Sequence, residues 1–200
     1  LLTEMGFAYD IGMTVWRVLG GFLIATALAP PLGVAMGAYK PVEAFFEQLR
    51  PFLERAEMVD FVGGESLLIP AHFRVWDELI AGGLRPRSGI TTNGTVFNAK
   101  VAAILDQLRP SIVVSIDAAT AATFEAIRVG ASFSEVIGNI ERFCNAVGPS
   151  RVSLAHCLMT TNWSGFADLL EFAEHRGMEV GVNIVRFPAE HSLYHLEADE

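Results

Sequence analysis

Between Met58 and Val185, short β-branched runs alternate with amphipathic helical stripes, and this alternation limits the fold more than any other feature of the chain. Met58–Val62 (MVDFV), Ser88–Thr92, Ile112–Ile116 (IVVSI), Val152–Leu158 and Glu179–Val185 read as strands. Pro70 suits a helix start. After it, Phe73, Trp76, Leu79 and Ile80 share one helical face, and Gly82 and Gly83 end that helix. Phe97, Val101, Ile104, Leu105 and Leu108 form the next stripe, stopped near Pro110. Phe124 and Ile127 begin a short helix. Ser132 and Glu135 have capping-box spacing before a face of Val136, Ile137, Ile140 and Phe143. Phe166–Arg176 is the last helix, closed by Gly177.

Five such βα units imply a parallel sheet with helices packed against it. An open doubly wound sheet and part of a (β/α) barrel both satisfy the pattern. In either, ligands meet the carboxyl ends of the strands. Those ends read Gly63-Gly64-Glu65-Ser66, then Thr92-Asn93-Gly94, then Ser115-Ile116-Asp117, then Thr160-Thr161-Asn162, then Asn183 and Arg186. They are small or polar where the preceding strands are apolar. Two glycines let backbone approach a ligand, and Glu65 can accept hydrogen bonds from an ammonium group. Ser115 and Asp117 fall on the same side of their strand. Each residue also has an ordinary role. Gly-Gly-Glu serves as a turn, Asn93-Gly94 is a common turn pair, Asp117 can cap a helix, and Arg128 can pair with Glu125 or Glu135. His156 reads as a core or supporting histidine; His175, His191 and His195 read as solvated.

Residues 1–46 follow a different pattern. From Val18 to Tyr39 no charged residue occurs, a run of 22. At about 1.5 Å per residue this could cross a hydrocarbon core of roughly 30 Å. Arg17 and Lys40 bracket it, Gly33 and Gly37 form a small-xxx-small pair, and Pro30-Pro31 would kink a helix. The run helps explain why the chain is 52% hydrophobic and only 18% charged. TVWRVLGGFLIATALAPPLGVAMGAYKPVEAFFE resembles an early part of the permease subunit of nitrate/sulfonate/taurine-type ABC importers. That resemblance implies a domain over 1–46, a transmembrane-derived helical segment, and membrane association through residues 18–39. It leaves residues 47–200 as a second domain, expected to be cytoplasmic. The lack of Met at residue 1 and the stop after a strand suggest a fragment.

VDFVGGESLL, ITTNGTVF, VVSIDAAT and FEAIRVGASFSEVIGNIERF resemble, in order and spacing, radical SAM proteins of the peptide-maturase and anaerobic sulfatase-maturase kind. The resemblance covers about residues 47–190. It implies a partial (β/α) TIM-like barrel that binds S-adenosylmethionine. Gly63, Gly64 and Glu65 would hold its amino group. Ser115 and Asp117 would line the ribose and methionine region, Asn93 would lie nearby, and Arg128 would approach the methionine carboxylate. Ser66 stands where the family usually has proline, which would loosen the turn.

The same resemblance implies a [4Fe–4S] cluster held by a C-x-x-x-C-x-x-C loop, because cluster irons need soft anionic donors. That loop would precede the Gly-Gly-Glu strand, where this chain carries its apolar segment. Cys144 and Cys157 are the only cysteines. They are too few and wrongly spaced, and they read as buried thiols. The expectation is therefore an enzyme core without its own cluster, inactive by itself, with a small-molecule cosubstrate and a peptide or protein substrate. A net charge of −9 argues against nucleic-acid binding. A transport fragment with an unrelated tail and a non-catalytic binding module are the competing readings.

Overall fold

A computed structural model describes Met13, Trp16, Arg17, Leu19, Gly20 and residues 41–195. The chain divides into two compact units, Leu1–Pro51 and Phe52–Glu200. Apart from Leu19 and Gly20, the apolar stretch Val18–Tyr39 lies outside the described residues. Among the described residues, no helix is long and apolar enough to cross a membrane. Helix α1 spans Pro41–Leu53.

The second unit is built on five strands: β1 (Met58–Phe61), β2 (Arg87–Thr92), β3 (Ser111–Ser115), β4 (Val152–Leu158) and β5 (Glu179–Ile184). All pairings are parallel and the order is sequential, β1-β2-β3-β4-β5. A doubly wound sheet reverses its strand order and lays helices on both faces. A sequential parallel sheet with right-handed crossovers keeps every helix on one face, which is barrel winding. The topology thus resolves the alternative left open by the sequence.

The helices are α2 (Pro70–Ala81), α3 (Ala99–Leu108), α4 (Ala121–Ile127), α5 (Phe133–Val147) and α6 (Phe166–Glu174). Local chemistry sets their ends. Asn98 Oδ1 accepts from Val101 N at α3. Ser132 Oγ accepts from Glu135 N at 3.4 Å, which supplies one half of the expected capping box. Glu125 of α4 accepts from Phe133 N at the same helix start.

Strand residues of one parity bury against the helices: Phe61, Ile90, Ile112, Val114, Val152 and Leu154. Trp76, Leu79, Leu105, Val136, Ile140, Phe143 and Leu169 meet them from the helices. A truncation such as Phe143→Ala should cost about 3–5 kcal/mol, because the ring is wholly buried. His156 belongs to this layer. Its Nδ1 lies 3.1 Å from the Ile116 carbonyl and its ring stacks on Phe166.

The opposite parity forms an open face. The register aligns Asp60 with Gly89, Thr91 with Val113 and Ser153, Ser115 with Ala155 and Gly181, and Cys157 with Asn183. These residues are half-buried or exposed. Both cysteines are half-buried, not buried as the sequence suggested.

Candidate functional site

The carboxyl end of β1 turns through Gly63 (φ 91°) and Gly64 (φ 53°). Positive φ at two consecutive residues is a conformation that side chains resist, so glycine is required. The turn delivers Glu65 to the end of β2. One carboxylate oxygen accepts from Leu67 N at 3.0 Å and from Thr92 Oγ1 at 2.7 Å. The other accepts from Asn93 N at 2.7 Å. Glu65 therefore ties two strand ends together. A carboxylate offers about four lone-pair positions, so about one is left for a ligand. Ser66 does not leave the turn loose: it is buried, and its hydroxyl donates to the Phe61 carbonyl at 3.0 Å.

Asn93 and Gly94 form more than a generic turn. Asn93 Oδ1 accepts from Thr95 N and Thr95 Oγ1. Gly94 has φ 77°, and a Cβ there would sit 2.9 Å from a Val114 methyl and 3.0 Å from a Val136 methyl. Its carbonyl accepts from Asn139 Nδ2 at 2.8 Å. Sequence reading missed Asn139, a buried amide within the apolar stripe of α5. Its interruption of that stripe was the available signal.

The ends of β3 and β4 form a second cluster. Asp117 is buried. One of its carboxylate oxygens takes two bonds from Arg128, Nε at 2.8 Å and Nη2 at 2.7 Å. The other accepts from Cys157 N at 3.0 Å. Arg128 thus pairs with Asp117, not with Glu125 or Glu135. Asn162, also buried, donates Nδ2 to the Asp117 and Cys157 carbonyls, both at 2.9 Å, and accepts from Met159 N. Burial pushes the Cys157 thiol above its ordinary value, the Asp117 charge adds to that, and Arg128 offsets part of it.

The structure thus brings Gly63, Gly64, Glu65 and Asn93 together at β1 and β2, and Asp117 and Arg128 together beside β4. Ser115 lies on the open face next to Ala155. A closed barrel fills this face with layers of bulky branched side chains. Here the row is serine, alanine and glycine, the smallest side chains. The donors for a cluster do not fit. The sequence holds two cysteines. Cys144 Sγ lies on α5 beside Met178 Sδ, and Cys157 lies on β4. Among the described residues, no group of three His, Cys, Asp or Glu could hold a metal ion.

The family model described as Radical SAM superfamily matches residues 36–173, well over half the chain. No curated protein matches. Among solved structures, native anSMEcpe with bound AdoMet and Cp18Cys peptide aligns with TM-score 0.58 at 15% identity, covering 73% of this chain and 45% of that one. Native anSMEcpe with bound AdoMet gives TM-score 0.56 at 15% identity, with 74% and 46% covered. Streptococcus suis SuiB bound to S-adenosylmethionine gives 0.52 at 16% identity, with 62% and 29% covered. These likenesses show the fold. The chain spans less than half the length of each. The family match begins at residue 36, inside the stretch that resembles a permease, and that resemblance gains no support.

Proposed function

The chain belongs to the radical SAM superfamily, and from that premise we propose that residues 58–195 carry an S-adenosylmethionine-binding half-site that cannot by itself cleave the cosubstrate. The observation that carries this reading is the open face, where Ser115, Ala155 and Gly181 form a row of small residues across three strands. In this reading the remaining Glu65 lone pair and the Gly63–Gly64 backbone take the ligand ammonium. The one Arg128 nitrogen not spent on Asp117, Nη1, faces its carboxylate. Ser115 and Asn93 flank the adenosyl group. The Asp117–Arg128–Asn162 network holds β3 and β4 in register, so the pocket is preorganised.

A [4Fe–4S] cluster, where a superfamily member has one, supplies the electron that splits the cosubstrate. This sequence lacks three thiolates to hold it, so no step through a cluster follows from these residues. The relative crystallised with the Cp18Cys peptide supports a peptide as the substrate class.

Calorimetry with S-adenosylmethionine tests the pocket. The expected Kd is on the order of 0.1 mM or weaker, about −5.5 kcal/mol, and Ser115→Leu should abolish the binding. Binding that survives Ser115→Leu rejects the open face as the site. Anaerobic reconstitution with iron and sulfide tests the second part. A stoichiometric cubane signal by absorbance and electron paramagnetic resonance would overturn it.

A further inference from the structure

A cleft of about 380 Å³ lies between the loop after β2 and α5, lined by Thr95, Phe97, Glu135, Gly138, Asn139 and Arg142. We propose that this cleft binds a small zwitterion of the α-amino-acid type. It shares no lining residue with the half-site proposed above, and the inference does not depend on that reading.

Glu135, Gly138, Asn139 and Arg142 are spaced to share one helical face. Glu135 and Arg142 are two turns apart, about 10 Å along the axis. A Cβ on Gly138 would meet nothing within 4 Å, so the floor between the two charges is open. Among the described residues, no cation lies within ion-pair distance of the Glu135 carboxylate. Arg142 lies over the Phe97 ring, 5.1 Å from its centroid, and Phe97 packs on Phe143.

Asn139 lies one turn from Glu135, between the two charges, and Thr95 lines the same cleft. Asn139 is more than nine-tenths buried and spends Nδ2 on Gly94. Its Oδ1 has no hydrogen bond among the described residues, although the residue lines the cleft. Thr95 Oγ1 donates to Asn93, which leaves its lone pairs as acceptors. An ammonium group has three donors, and Glu135, Asn139 Oδ1 and Thr95 Oγ1 are three acceptors for them. The carboxylate then meets Arg142, and an apolar side chain meets Phe97. An amine alone would face the Arg142 charge, and a carboxylate alone the Glu135 charge. The paired rim therefore selects a ligand carrying both charges.

Ligand-observed NMR and calorimetry on the full chain test this, with L-leucine, isoamylamine and isocaproate as probes. L-leucine should bind at least about tenfold tighter than either singly charged probe, a difference of about 1.4 kcal/mol. Glu135→Gln and Arg142→Gln should each weaken L-leucine by a similar factor. Gly138→Leu should remove binding while the thermal melt is kept, because that position has space for a side chain. Three probes of equal affinity, L-leucine binding retained in Gly138→Leu, or no L-leucine binding at about 10 mM (a free energy near −2.7 kcal/mol) would each overturn the proposal.

Discussion

Arg128 grips a single carboxylate oxygen of Asp117 with two nitrogens, at 2.8 and 2.7 Å, while the other oxygen takes the Cys157 amide. Asp117 lies two residues past the end of the third strand, Arg128 follows the helix after it, and Cys157 lies on the fourth strand. One buried charge thus joins three segments at the strand ends. Removing the cation alone leaves that charge without its partner, so Arg128→Ala should destabilise the fold by about 3 kcal/mol. Urea unfolding measures this. The pair Asp117→Asn/Arg128→Gln should lose less than Arg128→Ala, and a larger loss would sink the account.

Glu65 accepts three protein donors. Glu65→Gln turns an amide hydrogen pair toward one or more of them. The expected cost is about 1–3 kcal/mol, seen as a lower melting temperature together with weaker S-adenosylmethionine binding. An unchanged melting temperature would mean that the carboxylate does not tie β1 to β2.

Gly94→Ala combines a positive φ with a Cβ at 2.9 Å from Val114. About 1–2 kcal/mol of backbone strain and about 1–3 kcal/mol of overpacking are expected. Adding Val114→Ala should recover part of the second contribution but none of the first. A double-mutant cycle reads this as favourable coupling.

The Cys157 thiol is held above its ordinary value of 9.0 by burial and by Asp117. It is therefore neutral at pH 7, and iodoacetamide should modify it slowly until the pH passes 9. The sign follows from linkage. A folded pKa above the unfolded one contributes stability at low pH, and that stability is lost as the pH rises through the folded value. Arg128→Gln should push the thiol still higher, since the guanidinium lowers it, and Asp117→Asn should bring it down. Mass spectrometry of the Cys157 peptide against pH tests the order of the three proteins.

The strands, the helices and the strand-end positions were legible in the sequence because hydrophobic period and glycine or proline punctuation are local properties. Val152–Leu158 was read with the same bounds that the structure shows, and other strand limits moved by a residue or so. Gly63, Gly64 and Asn93 were placed at strand-end turns because their residue types announce turns. Asn139 was missed, since its value lies in a bond to Gly94 across 45 positions of sequence. The partners of Asp117 and Arg128 were open for the same reason. Glu125 and Glu135 lie closer to Arg128 along the chain than Asp117 does, and only packing decides between them.

By itself, the sequence determined that the strands and helices alternate, which strand ends are polar, and that two cysteines cannot supply a three-thiolate loop. These follow from residue type and short spacing. Only the tertiary structure decided that the sheet winds sequentially, since strand order is a matter of long-range pairing. It alone showed that small residues from three strands align across the open face, and that Glu65 and Asp117 are engaged by backbone and side chains from neighbouring strands. A carboxylate's partners depend on which chain ends meet in space, and no local pattern records that.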